Sequence, residues 1–277
     1  MENLVAFQVR YEKDYEHVLK MVKNAGFKYV SIGFGNEEYL LDGDYNKKIA
    51  KLKTDLKEND LTCVFTHSPY YDPLISAEIL DEKKEYAQEL SLIATKELGA
   101  DIIAFHPRSY IKNGVVDNRK SLEINAKNFK PIIEKSKKLG VEVALENLCT
   151  FPDHEEKFYP QTAKDLIELV RALDGKPCVV WDFGHAHLNK NDQVKDILSL
   201  NKLIKATHTH SNNLDNDYHL SPYSGSTEWD SIMKAVKEIG YEGYLTLEVD
   251  YKTDTVTQEF IKNTYKDVIK LYKMIKK

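Results

Sequence analysis

Arginine is scarce in this chain: only Arg10, Arg108, Arg119 and Arg171 among 39 basic residues, the rest being lysines spread over predicted helix faces. With a net charge of −5 there is no bulk attraction for a phosphate backbone, so nucleic acid is not an expected partner. Cysteine is equally thin. Cys63, Cys149 and Cys178 form an odd set without CxxC spacing, which points to reduced thiols and to neither a disulfide framework nor a zinc ribbon. No window approaches the ~20 consecutive apolar residues needed to cross a bilayer, so no membrane partner is expected. The opening MENLVAFQVR enters a strand directly, without the basic stretch and apolar run of a signal peptide, and a cytoplasmic location is the expectation. No Pro/Gly/Ser-rich linker divides the chain, so residues 1–277 read as one domain. A GxGxxG turn is missing after the first predicted strand, where VRYEKDYEH stands, which disfavours a doubly wound dinucleotide fold.

What is present is an alternation. Short β-branched or aromatic runs alternate with longer amphipathic segments, and the pattern repeats eight times, which predicts an α/β fold, a single (β/α)8 TIM barrel. The strands fall at residues 4–10, 29–34, 61–67, 101–106, 141–146, 177–182, 203–208 and 243–248. Gly26, Gly99, Gly140 and Gly240 each shortly precede a strand, as helix C-caps do. Side chains on a strand alternate faces, so Ala144 shares the inner face with Glu146, Ala104 with His106, and Ala206 with His208. Val143, Leu145, Ile103, Phe105 and Trp181 then face the outer helices.

Barrel chemistry is built where strands end. Glu146, Asp182, His208 and Glu248 each end a separate predicted strand, in VEVALENL, PCVVWDFGH, IKATHTHSN and YLTLEVD, which implies one convergent site. Seven of nine histidines, His67, His106, His185, His187, His208, His210 and His219, lie at strand ends or in the loops after them. A lone histidine there is more often structural; the joint pattern with carboxylates reverses that reading. A mixed Glu/Asp/His set suits zinc, manganese or another divalent first-row ion such as cobalt, whereas all-oxygen ligation would favour magnesium or calcium; zinc or manganese ranks ahead of magnesium or cobalt.

The runs THSP, FHPRS, ENL, DFGH, HTHSNN followed by DYH, and LEVD, in that order, resemble the xylose isomerase-like barrel superfamily. This group holds sugar and sugar-phosphate isomerases and epimerases, inosose dehydratases and the endonuclease IV type of DNA repair enzyme. The resemblance implies a metal site at Glu146, Asp182, His208 and Glu248, with His208 preferred to His210, and a proton-transferring role for Glu146 and Glu248. It also implies an alternative, because His67, His106, His185, Asp217 and His219 fill the remaining positions of a three-zinc phosphodiesterase site. In the sugar enzymes such residues line the pocket. Sugar chemistry ranks first because NLCTFPDH and FGHAHLNKND depart from the endonuclease pattern and the DNA-inserting loops have no counterpart. A dehydratase of the inosose type is a further alternative, and a structural ion network or binding without turnover is the bland one.

The expected partner is a small carbohydrate, with a homo-oligomer allowed. Arg10 and Arg108 are placed to fork onto a carboxylate or phosphate. Ser224, Gly225 and Ser226 form a weak phosphate-loop candidate. Tyr70, Tyr71 and Phe34 offer aromatic surfaces for a sugar. Phe151, Phe158 and Tyr159 read as a lid or an oligomer contact, and His154 stands outside the site.

Overall fold

The computed structural model describes residues 3–35, 37–150 and 157–276. Phe151 and His154 therefore lie outside the described residues. In chain order the strands are β1 (Val5–Arg10), β2 (Tyr29–Gly33), β3 (Thr62–His67), β4 (Ile102–Phe105), β5 (Ile111–Lys112), β6 (Val115–Val116), β7 (Glu142–Glu146), β8 (Cys178–Asp182), β9 (Ile204–Thr209) and β10 (Leu245–Leu247). The two short ones, β5 and β6, make an antiparallel hairpin in the loop after β4. The other eight close into a barrel in the order β1-β10-β9-β8-β7-β4-β3-β2. Every pairing in it is parallel, and Phe7 beside Leu247 seals first strand to last. This is a single (β/α)8 TIM barrel. The observed strands match the expected ones to within two residues; β4 and β10 stop just short of His106 and Glu248, which begin their loops.

Face parity follows the alternation. Phe65, Ala104, Ala144, Cys178, Val180 and Ala206 fill the barrel interior. Ile103, Phe105, Val143, Leu145 and Trp181 belong to the larger core between strands and helices. Small residues one layer below the mouth leave depth for the longer acids and imidazoles above them. The first helix, α1 (Tyr15–Ala25), shows how that outer core is built: Tyr15, Val18, Leu19 and Val22 are buried at i, i+3, i+4 and i+7, one stripe of a helix. Gly26, Gly99, Gly140 and Gly240 all adopt positive φ. At Gly140 (φ 68) the turn is closed by Gly140 N–H to Lys137 O at 3.2 Å and Val141 N–H to Ser136 O at 3.0 Å, a helix stop that releases the chain into β7. The last helix, Gln258–Lys276, buries Ile261, Val268, Leu271, Tyr272 and Ile275, while Ile269 is only half-buried.

Three aromatic expectations are corrected by packing. Phe34 is fully buried and meets Tyr11 edge-on at 5.6 Å, so it is core and not a sugar platform. Phe158 and Tyr159 are also buried, with Tyr159 N–H bonded to Ser109 Oγ at 2.8 Å; they anchor their loop and form no lid. No helix among the described residues is long and apolar enough to cross a membrane.

Candidate functional site

Glu146 ends β7 and is wholly buried, with each oxygen facing a different set of histidines. Oε2 lies 3.2 Å from both His67 Nε2 and His106 Nε2, and those two nitrogens are 3.0 Å apart. Oε1 lies 3.0 Å from His208 Nδ1. The same nitrogen is 3.0 Å from Glu248 Oε2 and 3.7 Å from Asp182 Oδ2. Beside this group, Asp217 Oδ2 lies 3.0 Å from His219 Nε2 and 3.3 Å from His185 Nε2. All nine residues singled out in the sequence as possible ligands thus gather at one mouth, in four adjoining groups of ligand-capable atoms: His67, His106 and Glu146; His67, His208 and Glu248; Glu146, Asp182, His208 and Glu248; and His185, Asp217 and His219 with His210.

Local structure sets each of these atoms. Asp182 ends β8 and also caps the short helix Phe183–Leu188 by accepting His185 N–H at 2.6 Å, which turns the His185 ring back over the mouth. Asn147 clamps the ends of β7 and β8: its amide donates to Asp182 O at 2.9 Å and accepts Asp182 N–H at 2.8 Å. Asn212 does the same for the loop after β9, accepting Tyr218 N–H (2.7 Å) and His219 N–H (3.1 Å) and donating to Asp217 (3.0 Å). That loop needs the support, because His219 sits at φ 46, a left-handed conformation disfavoured for a side chain with a Cβ. Gln8 donates to Glu248 Oε1 and accepts from Ser31 Oγ at 3.2 Å. Asn147, Asn212 and Gln8 were not singled out from sequence. The first two stand inside the quoted runs ENL and HTHSNN, which is the signal that was available; Gln8 carries none. His210 was set aside in favour of His208. It bonds Asp182 Oδ2 at 3.0 Å and stacks on His219 at 3.8 Å, in space that Gly184 leaves open: a Cβ at Gly184 would lie 2.0 Å from His210 Cε1.

The donor set fits a divalent cation. His67, His185 and His219 each place Nδ1 against a backbone carbonyl, of Ser68 (2.7 Å), Asn147 (2.9 Å) and Glu248 (2.8 Å). In the neutral ring the nitrogen facing the carbonyl carries the proton, which leaves the Nε2 lone pair aimed into the cluster as in a metal-ligating imidazole. Burial opposes charge on His185 and His219, but the neighbouring carboxylates overcome it and favour their protonated rings when no cation stands there. Those lone pairs face carboxylate oxygens at 3.0–3.3 Å, acceptor against acceptor, which repels unless a proton or cation lies between. Ligands about 2.0–2.2 Å from one ion stand roughly 2.8–3.6 Å apart, depending on the coordination angle, and the contacts of 3.0–3.3 Å here fall in that range. Burial pushes the Glu146 carboxyl up, but His208 and His106 outweigh it and hold it well below the usual range. Burial likewise opposes ionisation of Asp182 and Glu248, yet the surrounding histidines hold both low. His208 is pushed up to about 9: burial works against its charge, and Glu146 and Glu248 overcome it. Buried like charges at this density require counter-charge in the same cage.

Above the cluster lies a cleft. A cavity of about 590 Å³ opens toward β1, β2 and β10, with Gln8, Arg10, Glu12, Tyr70, Glu248 and Asp250 in its wall. A smaller lobe of about 190 Å³ opens beside Tyr71, Pro107, Arg108 and Leu148. Tyr70 stands between them, half-exposed and stacked on His106 at 4.9 Å. Arg10 is engaged by Asp250 Oδ1 at 2.5 Å and Tyr251 O at 2.6 Å. Arg108 stacks on Tyr71 at 3.5 Å and donates Nη2 to Ser76 O (3.0 Å) and Ile79 O (2.6 Å). His187 turns to Ser226 Oγ at 2.8 Å.

With this geometry in hand, a family model for the xylose isomerase-like TIM barrel matches residues 19–273. An uncharacterized protein of Methanocaldococcus jannaschii is 25% identical over 235 residues, 80% of this chain and 76% of its own. A D-psicose 3-epimerase of Ruminiclostridium cellulolyticum is 21% identical over 250 residues, 87% of this chain and 80% of its own. Among solved structures, a D-tagatose 3-epimerase-like protein superposes with TM-score 0.76 over 98% of both chains at 18% identity, a likeness of fold. The chain belongs to the xylose isomerase-like TIM barrel family.

Proposed function

We propose that this protein is a carbohydrate isomerase or epimerase that moves a proton at a carbon next to a carbonyl, with Glu146 and Glu248 as the proton-carrying groups. One observation carries the reading: the two carboxylates arrive from β7 and β10, separated around the barrel by β8 and β9, yet both reach within 3.0 Å of the same His208 nitrogen. Two carboxylates converging from different sides can take a proton from one face of a carbon and return one to the other, which inverts the centre. A single acting carboxylate would instead favour isomerisation or dehydration. Glu146, Asp182, His208 and Glu248 would hold a divalent ion, zinc or manganese ahead of magnesium or cobalt, since imidazole stands in the set. Such an ion supplies the positive charge that stabilises an oxygen anion developing beside the broken C–H bond. Gln8, bonded to Glu248, orients that carboxylate, and Tyr70 offers a ring face to a sugar. The epimerase among the relatives supports the same class.

The test is deuterium uptake from D2O into D-psicose and D-fructose, followed by NMR. Exchange is expected, and Glu146→Gln or Glu248→Gln should slow it roughly 10²–10⁴-fold. No exchange with any ketose, inosose or sugar phosphate would sink the proposal.

A second reading rests on the two further groups, His67/His106/Glu146 and His185/Asp217/His219. Three adjacent cations suit phosphodiester hydrolysis by clamping attacking and leaving oxygens. About one metal per chain, lost in Glu248→Gln, supports the sugar reading; two or three, lost also in His67→Ala or His219→Ala, together with cleavage of a phosphodiester, supports the second.

A further inference from the structure

The larger cavity carries more carboxylates than cationic side chains outside the histidine cluster. In the larger cavity four carboxylates, Glu12, Asp217, Glu248 and Asp250, face one guanidinium, Arg10, and the cluster histidines His67 and His219, and no lysine lines it among the described residues. Asp217 and Glu248 belong to the histidine cluster, where a cation would offset them. Glu12 and Asp250 do not: they lie outward of it, with Arg10 between them in charge but committed to Asp250 and to the Tyr251 carbonyl. Glu12 is held by Thr253 Oγ1. Arg108, the other arginine of the cleft, lies in the smaller lobe, flat on Tyr71, with Nη2 on two carbonyls and with Nε and Nη1 sealed from solvent without a hydrogen-bond partner. In the loop after β9 two of the three candidate phosphate-binding amides are already engaged, Ser224 N–H by Ser221 O at 2.8 Å and Ser226 N–H by Asn212 O at 3.0 Å. The run FPDHEE, residues 151–156, adds no lysine or arginine from sequence.

Resting on the sugar reading above, we infer that the substrate is an uncharged, unphosphorylated sugar with a free carbonyl, and that Asp250, by neutralising Arg10 beside Glu12, is the residue that rejects phosphorylated sugars. Rejection by like charge is a recognised route to specificity, since an unpaired anion facing carboxylates loses affinity while a hydroxyl does not. Polar groups without net positive charge, such as Gln8 and Glu12, match a chain of hydroxyls.

The experiment compares D-fructose with D-fructose 6-phosphate, by calorimetric binding and by deuterium exchange, in the wild type and in Asp250→Asn and Glu12→Gln. The free sugar should bind at least about tenfold more tightly in the wild type. Asp250→Asn, at an exposed position, should narrow that gap about threefold by releasing Arg10; Glu12→Gln should narrow it in the same direction. Equal or tighter binding of the phosphate ester by the wild type, or binding of neither sugar, overturns the inference. Selective binding of the free sugar without exchange upholds it and defeats the proton-transfer reading; exchange that prefers the phosphate ester does the reverse.

Discussion

Asn147 offers the sharpest test of how the site is held. Its side chain makes both hydrogen bonds to the Asp182 backbone, at 2.8 and 2.9 Å, and both residues are fully buried. Asn147→Ala leaves one N–H and one C=O of Asp182 in a dry environment without those partners. An orphaned buried polar group costs about 1–3 kcal/mol, so with two of them the variant should lose about 2–6 kcal/mol of stability. Trp181 and Trp229 are both buried, which makes tryptophan fluorescence in a urea titration a suitable assay; the midpoint should fall with the slope unchanged. Because Asn147 also fixes where Asp182 stands, affinity for zinc or manganese should drop about 10–100-fold. Asn147→Asp keeps the acceptor for Asp182 N–H but loses the donor and adds a buried charge beside Glu146 and Asp182, so it should cost at least as much. A loss under about 1 kcal/mol in Asn147→Ala, with metal affinity intact, would refute the claim that this clamp supports the site.

Other outcomes follow from the same geometry. Gly184→Ala drives a Cβ into the His210 ring, which is pinned by Asp182 and stacked on His219; a loss of about 1–3 kcal/mol in thermal unfolding is expected, relieved in Gly184→Ala/His210→Ala. Stripping metal with a chelator should lower stability, since an ion that binds only the folded cage contributes about 2.7 kcal/mol at a hundredfold excess over Kd; an unchanged midpoint on adding zinc or manganese would count against a metal centre. Glu248→Gln should keep the fold while exchange is lost, because Glu248 sits at the open edge of the cluster; a variant that unfolds instead would point to a structural ion network.

Much of this was legible in the order of residues. Strand positions, the glycine stops and the inward row of Ala104, Ala144 and Ala206 all depend on period-two alternation and local backbone preference, which neighbours in sequence set by themselves. The ligand-type residues could be read because strand ends of one barrel must share a mouth. Aromatic roles were less legible: Phe34, Phe158 and Tyr159 have the same chemistry at a mouth or in a core, and only neighbours distant in sequence decide which.

The sequence by itself determined the eightfold chain, which faces of its strands point inward, and the gathering of acids and imidazoles at one end. Only the tertiary structure decided the rest. That Arg10 pairs with Asp250, 240 residues away, follows only once β1 closes on β10. Which nitrogen of His67, His185 and His219 enters the cluster was settled by backbone carbonyls, whose directions exist only after the loops fold. Local pattern encodes where a side chain starts and which way it first points; hydrogen-bond partners and charge balance are properties of the closed barrel, so they appear only when the two ends of the chain meet.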